Sequence, residues 1–299
     1  MNENNAIHAL DNNSTQSNTE FATNDEAICV IYLRLEHNPH SMGNQNTSKK
    51  IKSTETCFDI IEYIHGNPAA GVTKIADEID VSPSTAHAHL YTLQERGYLI
   101  KKGGGYRIGL PFLTVAGYIQ NAGRYKKLYQ VSKPEIDELA ETTGERAQIM
   151  VEENNRGFYL CQSWGEKAVI TDSHVGTSVP LHSTAVGKAY LAHLPLDTIT
   201  AAVDAHGLPA ETDNTITTRE TLLDELEVIR DQGVAFDRGE RVVGIHCVAA
   251  PIISDTDTTL GAISVSVPKK RVHDDFFEHE LPQQVMDAAR VIALNATYS

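Results

Sequence analysis

The stretch Ser82 to Gly97, SPSTAHAHLYTLQERG, constrains this chain more than any other. Ser82 suits an N-cap, because its hydroxyl can accept a hydrogen bond from a free backbone N–H of the first helical turn. Pro83 suits the first helical position, where no N–H is needed and φ is already set. Ala86, Leu90 and Leu93 recur at i, i+4 and i+7, which places them on one buried stripe. Ser84, Ala88 and Tyr91 fall opposite, flanked by Thr85, His87 and Thr92. Gly97 ends the helix, since glycine accepts the left-handed backbone of a C-terminal cap. The outward face is small, polar and hydrogen-bonding, as a surface entering a DNA major groove must be. An ordinary amphipathic helix with a solvated face has the same pattern, so the neighbouring segments decide between the two.

Before it, Thr73 to Ile79 reads as a short helix with Ile75, Ala76 and Ile79 inward, and Asp80-Val81 makes a tight turn. Short helix, tight turn and second helix form the helix-turn-helix arrangement. Glu55 to His65 carries Cys57, Ile61 and Ile64 on one stripe that would brace the pair, and stops at Gly66-Asn67-Pro68. After it, Tyr98 to Lys102 and Tyr106 to Ile108 flank Gly103-Gly104-Gly105, a β-hairpin with a glycine turn. Together these make a winged helix-turn-helix over residues 49–109. Its candidate DNA contacts are Thr73, Ser82, Ser84, Thr85, His87, Ala88 and Thr92 on the helices. Lys101, Lys102 and Arg107 on the wing would meet phosphates or a minor groove.

A chain of 299 residues, 41% of them hydrophobic, has enough apolar material for two cores. No run of eighteen apolar residues occurs, so no membrane partner is expected. The N-terminus lacks the charged-then-apolar pattern of a leader. The four cysteines, Cys29, Cys57, Cys161 and Cys247, are scattered without a Cys-x-x-Cys, which fits a reducing cytoplasm rather than a disulfide framework. With no metal motif, P-loop or dinucleotide fingerprint, no cofactor or metal is expected. Residues 1–48 are rich in Asn, Ser and Thr and read as a disordered tail, although Ala27 to Leu35 is apolar enough for a short element.

The net charge of −15 is unevenly placed. Residues 1–47 carry −5, residues 48–109 carry +1 and residues 122–299 carry −11. The part expected on DNA is therefore the part that is not acidic, with bases at Lys49, Lys50, Lys52 and on the wing. Even so, phosphate contacts normally call for a stronger basic footprint. A salty cytoplasm, where screening shortens repulsion, would reconcile the two.

Pro111 to Asn121 is uncharged and apolar, a linker helix within 110–124 expected to pair with its copy in a second chain. From residue 125 to 299 the pattern alternates. Helices are expected at Leu128–Thr143, Thr184–Leu194, Leu196–His206, Glu220–Gln232 and Asp274–Leu294. Strands are expected at Ala147–Glu152, Phe158–Gln162, Ala168–Asp172, Val234–Asp237, Ile245–Ile253 and Leu260–Val267. This is an α+β domain with an antiparallel sheet.

Residues 51–299 resemble the IclR family of transcriptional regulators. The matching pieces are S-x-S-T-A-H…L-x-T-L-x-x-x-G-Y at 82–98, Y-R-I-G at 106–109, T-G-E at 143–145 and P-L-H-S-T-A-V-G-K-A-Y-L-A at 180–192. Further pieces are T-x-x-T-x-x-x-L-x-x-E-L-x-x-I-R-x-x-G-V-A-F-D at 215–237, G-I-H-C-V-A-A-P-I at 244–252 and A-I-S-V-S-V-P at 262–268. The resemblance implies a winged helix-turn-helix joined by a helix to a GAF-like effector domain. It also implies an operator in double-stranded DNA and assembly as homodimers or homotetramers. It implies a small-molecule pocket lined at Ala185, Val186, Asp237, Ile245, Cys247, Ser264 and Ser266.

Physics independently allows such a pocket. The N–H groups of Ala185, Val186 and Gly187 open a helix and would suit an anion without any Arg or Lys partner. Strand alternation puts Ile245, Cys247 and Ala249 on one face and His246 and Val248 on the other. An organic acid is the expected effector. Cys247 could equally be a small buried apolar residue, and Ser264 and Ser266 could bond nearby backbone. The chain departs from the family pattern where Arg238-Gly239-Glu240 follows Asp237 and where Ala88 follows His87. The competing classes are a GAF-like redox or other enzyme using Cys247 with His182, and a constitutive DNA-binding scaffold. His246 and Cys247 point to opposite faces and cannot pair.

Overall fold

The computed structural model describes residues 50–171, 173–273 and 275–298. Cys29, Lys49 and the apolar stretch 27–35 lie outside them. Among the described residues no helix is long and apolar enough to cross a membrane.

The N-terminal unit is built from α1 (Lys52–Gly66), α2 (Val72–Glu78), α3 (Pro83–Glu95), β1 (Leu99–Lys102) and β2 (Gly105–Ile108). Ala86, Leu90 and Leu93 of α3 are buried with Ile75 and Ala76 of α2, as the i, i+4, i+7 spacing requires. The stripe of α1 is rotated by about one position from the expected Cys57–Ile61–Ile64 line. Ile60 and Ile64 are fully buried, whereas Cys57 and Ile61 only flank the core. Thr56 can join the buried face because its hydroxyl donates to the Lys52 carbonyl at 3.0 Å, so no polar atom is left bare. Leu99 pairs with Ile108 and Lys102 with Gly105, so the wing turns on two residues, Gly103 and Gly104. Their φ values of +61° and +86° suit the primed hairpin turn, which glycine adopts without strain. Gly105 already belongs to the strand. A Cβ there would lie 1.9 Å from the Ala69 carbonyl oxygen, so the hairpin docks on the helices only with glycine at this position.

The helix α4 (Pro111–Asn121) buries none of its residues. Beyond it α5 (Lys126–Thr143) ends at Gly144, whose φ of +72° gives the left-handed cap. Six strands form one antiparallel sheet in the order β5-β4-β3-β8-β7-β6. They are β3 (Arg146–Glu153), β4 (Arg156–Trp164), β5 (Ser178–Val179), β6 (Ala235–Arg238), β7 (Ile245–Ile253) and β8 (Thr259–Pro268). The helices α6 (Ala185–Leu191), α7 (Leu196–His206) and α8 (Arg219–Gln232) cover one face, and α5 and α9 (Leu281–Tyr298) cover the other.

The sheet's two faces follow alternation, broken in β4 by a bulge that puts Leu160 and Cys161 in the same core. Ile263, Val265 and Val267 belong to the core under α5 and α9, and Ala249, Ala262 and Met150 to the core under α6 and α8. Residues 168–171, expected as a strand, form none. This stretch is tied by side-chain bonds instead, with the Thr171 hydroxyl on Arg146. The edge strand Ser178–Val179 takes the place beside β4, too short for alternation to reveal. The last helix is interrupted at its start by a π-turn at Phe276–Glu280.

Candidate functional site

Two surfaces collect the candidate residues. On the N-terminal unit, Thr73, Ser84, Thr85, His87, Ala88 and Thr92 are exposed with Lys101, Lys102 and Arg107 of the wing. Ser82 is exposed as well, but its hydroxyl caps α3, accepting from the Thr85 N–H at 3.1 Å. The Ser84 and Thr85 hydroxyls each lie 2.8 Å from Ser82 Oγ, so this trio stiffens the helix start. Thr92 donates to the Ala88 carbonyl at 2.9 Å. Tyr91 stands 56% exposed on the same face, a large contact surface left out of the sequence-derived set despite its opposite-stripe position.

The second surface is a cavity between the sheet and the start of α6. Strand register builds it. Arg146 of β3 faces Ser266 of β8, Ser266 faces Cys247 of β7, and Cys247 faces Asp237 of β6. These four residues form one row across the sheet, spanning about 14 Å at the usual strand spacing. The next row carries Gln162, Gln148 and Ser264. All four residues of the first row, together with Gln148, Ser264, Ala185, Val186 and Ile245, line the cavity. Its volume is about 20 Å³, room for a water or two.

The row is internally bonded. Gln148 Nε2 donates to Ser266 Oγ at 3.3 Å, and Gln162 Nε2 donates to Gln148 Oε1 at 3.1 Å. Cys247 Sγ lies 3.2 Å from Ser266 Oγ. Ser264 is buried in the next row and borders the cavity beside Gln148.

Gly187 is not brought to the cavity. Its N–H is taken by the Thr184 hydroxyl at 3.1 Å, and a Cβ on it would meet the Leu181 carbonyl at 2.3 Å, so this glycine serves helix–loop packing. Arg146 and Arg241 both line the cavity, two cations that the expectation of an anion held by backbone alone did not include. Arg146 donates to the Thr171 hydroxyl and to the Ser173 carbonyl, the latter at 3.3 Å, and its guanidinium sits 5.3 Å from the Trp164 ring centre. Arg241 donates to Ser173 Oγ at 3.1 Å. Alternation carried back from Gln148 would have placed Arg146 on this face. Arg241 lies in a loop, and no sequence pattern pointed to it.

Behind the row sits a buried charge cluster. Lys188 of α6 is 1% exposed and donates to Glu240 at 2.6 Å and to Glu225 at 3.1 Å. The Glu240 N–H donates to Asp237 at 2.6 Å. Burial above all pushes the Asp237 carboxyl up to about 6, with the charge of Glu240 adding to it. Burial also raises Glu240 against the pull of Lys188. The Cys247 thiol is pushed up to about 12 by burial and then by Asp237. His182 lines a different cleft, of about 410 Å³, where its Nε2 donates to the Pro209 carbonyl at 3.0 Å.

Residues 121–294 match the family model described as bacterial transcriptional regulator IclR C-terminal, and residues 54–102 match the IclR helix-turn-helix domain. A relative from Halobacterium salinarum, described as a probable HTH-type transcriptional regulator ArcR, is 32% identical over 254 residues. That alignment covers 84% of this chain and 95% of the relative. The acetate operon repressor of Salmonella typhimurium is 26% identical, over 82% of this chain and 90% of its own. The crystal structure of the Thermotoga maritima IclR superposes with a TM-score of 0.71 at 26% identity, covering 83% of this chain and 100% of that one. An IclR homolog of Microbacterium hydrocarbonoxydans, complexed with 4-hydroxybenzoate, shares the fold with a TM-score of 0.68 at 21% identity. It covers 82% of this chain and 98% of the homolog.

Proposed function

This chain belongs to the IclR family of transcriptional regulators, and from that premise we propose that its cavity takes a small organic acid whose binding changes operator affinity. The chain is a transcriptional regulator with a helix-turn-helix DNA-binding domain and an IclR C-terminal effector domain. The observation that carries the finer reading is the row Arg146–Ser266–Cys247–Asp237. A guanidinium at one end suits a carboxylate, and a buried carboxyl at the other suits a donor such as a hydroxyl. Ser264, Ala185 and Val186 border the space between. A hydroxy acid meets both ends.

The regulator reading is favoured over catalysis by Cys247. A thiol held near 12 carries almost no thiolate at neutral pH, and its bonded neighbour is Ser266 rather than a base. The exposed polar face of α3 and the wing cations Lys101, Lys102 and Arg107 would read the operator, with Thr73 and Ser82 beside them. The apolar face of α4, with Leu113 66% and Tyr118 64% exposed, is where a second copy would pair. That pairing gives a dimer, or a tetramer as a pair of dimers. Such a protein acts beside the chromosome, in the cytoplasm.

Trp164 is the only tryptophan and sits over Arg146, so its fluorescence reports an acid arriving there. Titration with a panel of small acids that includes 4-hydroxybenzoate should find a saturable ligand. Arg146→Met should abolish its binding, and Ser264→Ala should weaken it by about 1–2 kcal/mol. A saturable ligand indifferent to both substitutions would refute this pocket chemistry.

A further inference from the structure

The cavity holds about 20 Å³, so an organic acid can enter only if a wall moves. Most of the lining stands on paired strands or on α6. Thr171 and Ser173 do not. They belong to no helix or strand, and they are held against the cavity by Arg146 and Arg241. A carboxylate arriving at these guanidiniums competes with the Thr171 hydroxyl and with both oxygens of Ser173. The next residue, His174, leaves the cavity altogether. Its ring meets the ring of His65 edge-on, with centres 5.5 Å apart. His65 is in the last turn of α1, the helix whose Ile60 and Ile64 pack in the same core as α3.

We propose that this contact is a positioning device that carries cavity occupancy to the DNA-binding unit of the same protomer: the ligand displaces Ser173, Ser173 shifts His174, and His174 repositions α1 through His65. The proposal rests on the effector reading of the cavity. It adds a route within one chain to whatever passes through α4. The route is short because Ser173 and His174 are adjacent, so a displacement of one pulls on the backbone of the other. Its far end is also well placed, since α1 and α3 share one close-packed core and a rotation of the first is felt by the second.

The test needs no ligand and uses the full chain. Ser173→Ala removes the oxygen that Arg241 holds, and Arg241→Gln removes the charge that holds it. Hydrogen–deuterium exchange then reads the amides of 60–66, which report local opening of α1. At least one of the two substitutions should speed exchange there by roughly 5-fold, the low end of ordinary coupling between sites. The effect should vanish when His174→Ala is added and return with His174→Phe, which restores a ring against His65. If neither substitution alters 60–66, or if the change persists unreduced in the His174→Ala background, the proposal is overturned. Ser173→Ala deletes a single oxygen, so it keeps the test usable should Arg241→Gln misfold. Because no acid is added, failure here leaves the effector reading standing. Failure of the acid titration, conversely, leaves this mechanical link standing.

Discussion

Asp237 concentrates the electrostatics of the effector domain in one carboxyl. Folded, it keeps its proton up to about pH 6, whereas in the unfolded chain it titrates near ~4. As pH falls, the folded state therefore takes up the proton first. The stability this provides is complete below about pH 4 and is lost as pH rises through about 6. Asp237→Asn keeps an oxygen to accept the Glu240 N–H and removes the ionisation. It should raise stability at pH 8 by up to about 3 kcal/mol and flatten the stability profile between about pH 4 and 6. Urea unfolding across that range checks it, and an unaltered slope would assign the pH dependence to other groups. An acid bound beside Asp237 should likewise bind more weakly as pH rises through about 6, because two carboxylates then share a low-dielectric site. Part of this site was legible from period two alone: Cys247 had to share a face with Ile245, and Ser264 with Ser266, once their strands were drawn, whereas bringing the two strands' faces together took the register Cys247–Ser266. Arg146 escaped because β3 begins one residue before the apolar run that marked it. Arg241 escaped because contacts made by a loop have no period to read. Gly187 was misjudged because helix-start N–H groups look free in a sequence, whereas Thr184 occupies that of Gly187.

At the scale of elements, long periodic segments were easy to read and short or irregular ones were not. The α4 and β7 boundaries agree with expectation residue for residue, since Pro111 fixes one start and alternation fixes the other. The two-residue β5 and the bonded coil before it carry no such signal, so a strand was expected at the wrong place. The wing and α4 make separable demands. Replacing Lys101, Lys102 and Arg107 together with Ala should weaken binding to every DNA sequence. It should also flatten the plot of log affinity against log salt by about three units if all three meet phosphates. Fluorescence anisotropy at several KCl concentrations measures this, and an unchanged slope would take the wing off the phosphates. Val115→Asp, on a helix that buries nothing within its own chain, should leave each folded unit intact. In sedimentation it should shift the protein toward monomer, and specific operator binding should fall with it. A proven monomer that kept full operator affinity would remove α4 from the argument.

The whole molecule faces DNA with a net charge of −15, of which residues 122–299 carry −11 and residues 48–109 carry +1. Two salt effects then oppose each other. Releasing counterions from phosphates makes added salt weaken binding in proportion to the wing and helix cations engaged. Screening makes added salt strengthen binding, because the acidic effector domain repels the same phosphates from beyond the contact surface. The Debye length falls from about 10 Å at 0.1 M to about 3 Å at 1 M, so the long-range repulsion is lost first while contact pairs persist. Repulsion within the effector domain is screened too, which favours its compact state. Between about 0.1 M and 1 M KCl the melting temperature should therefore rise. Operator binding should fall less steeply with salt than its phosphate contacts alone would dictate. Calorimetry and anisotropy on the same preparation test both halves. A melting temperature that drops with KCl, or operator binding lost at about 1 M, would mean that the acidic surface is not matched to a salty interior and that its charge must answer to a partner instead.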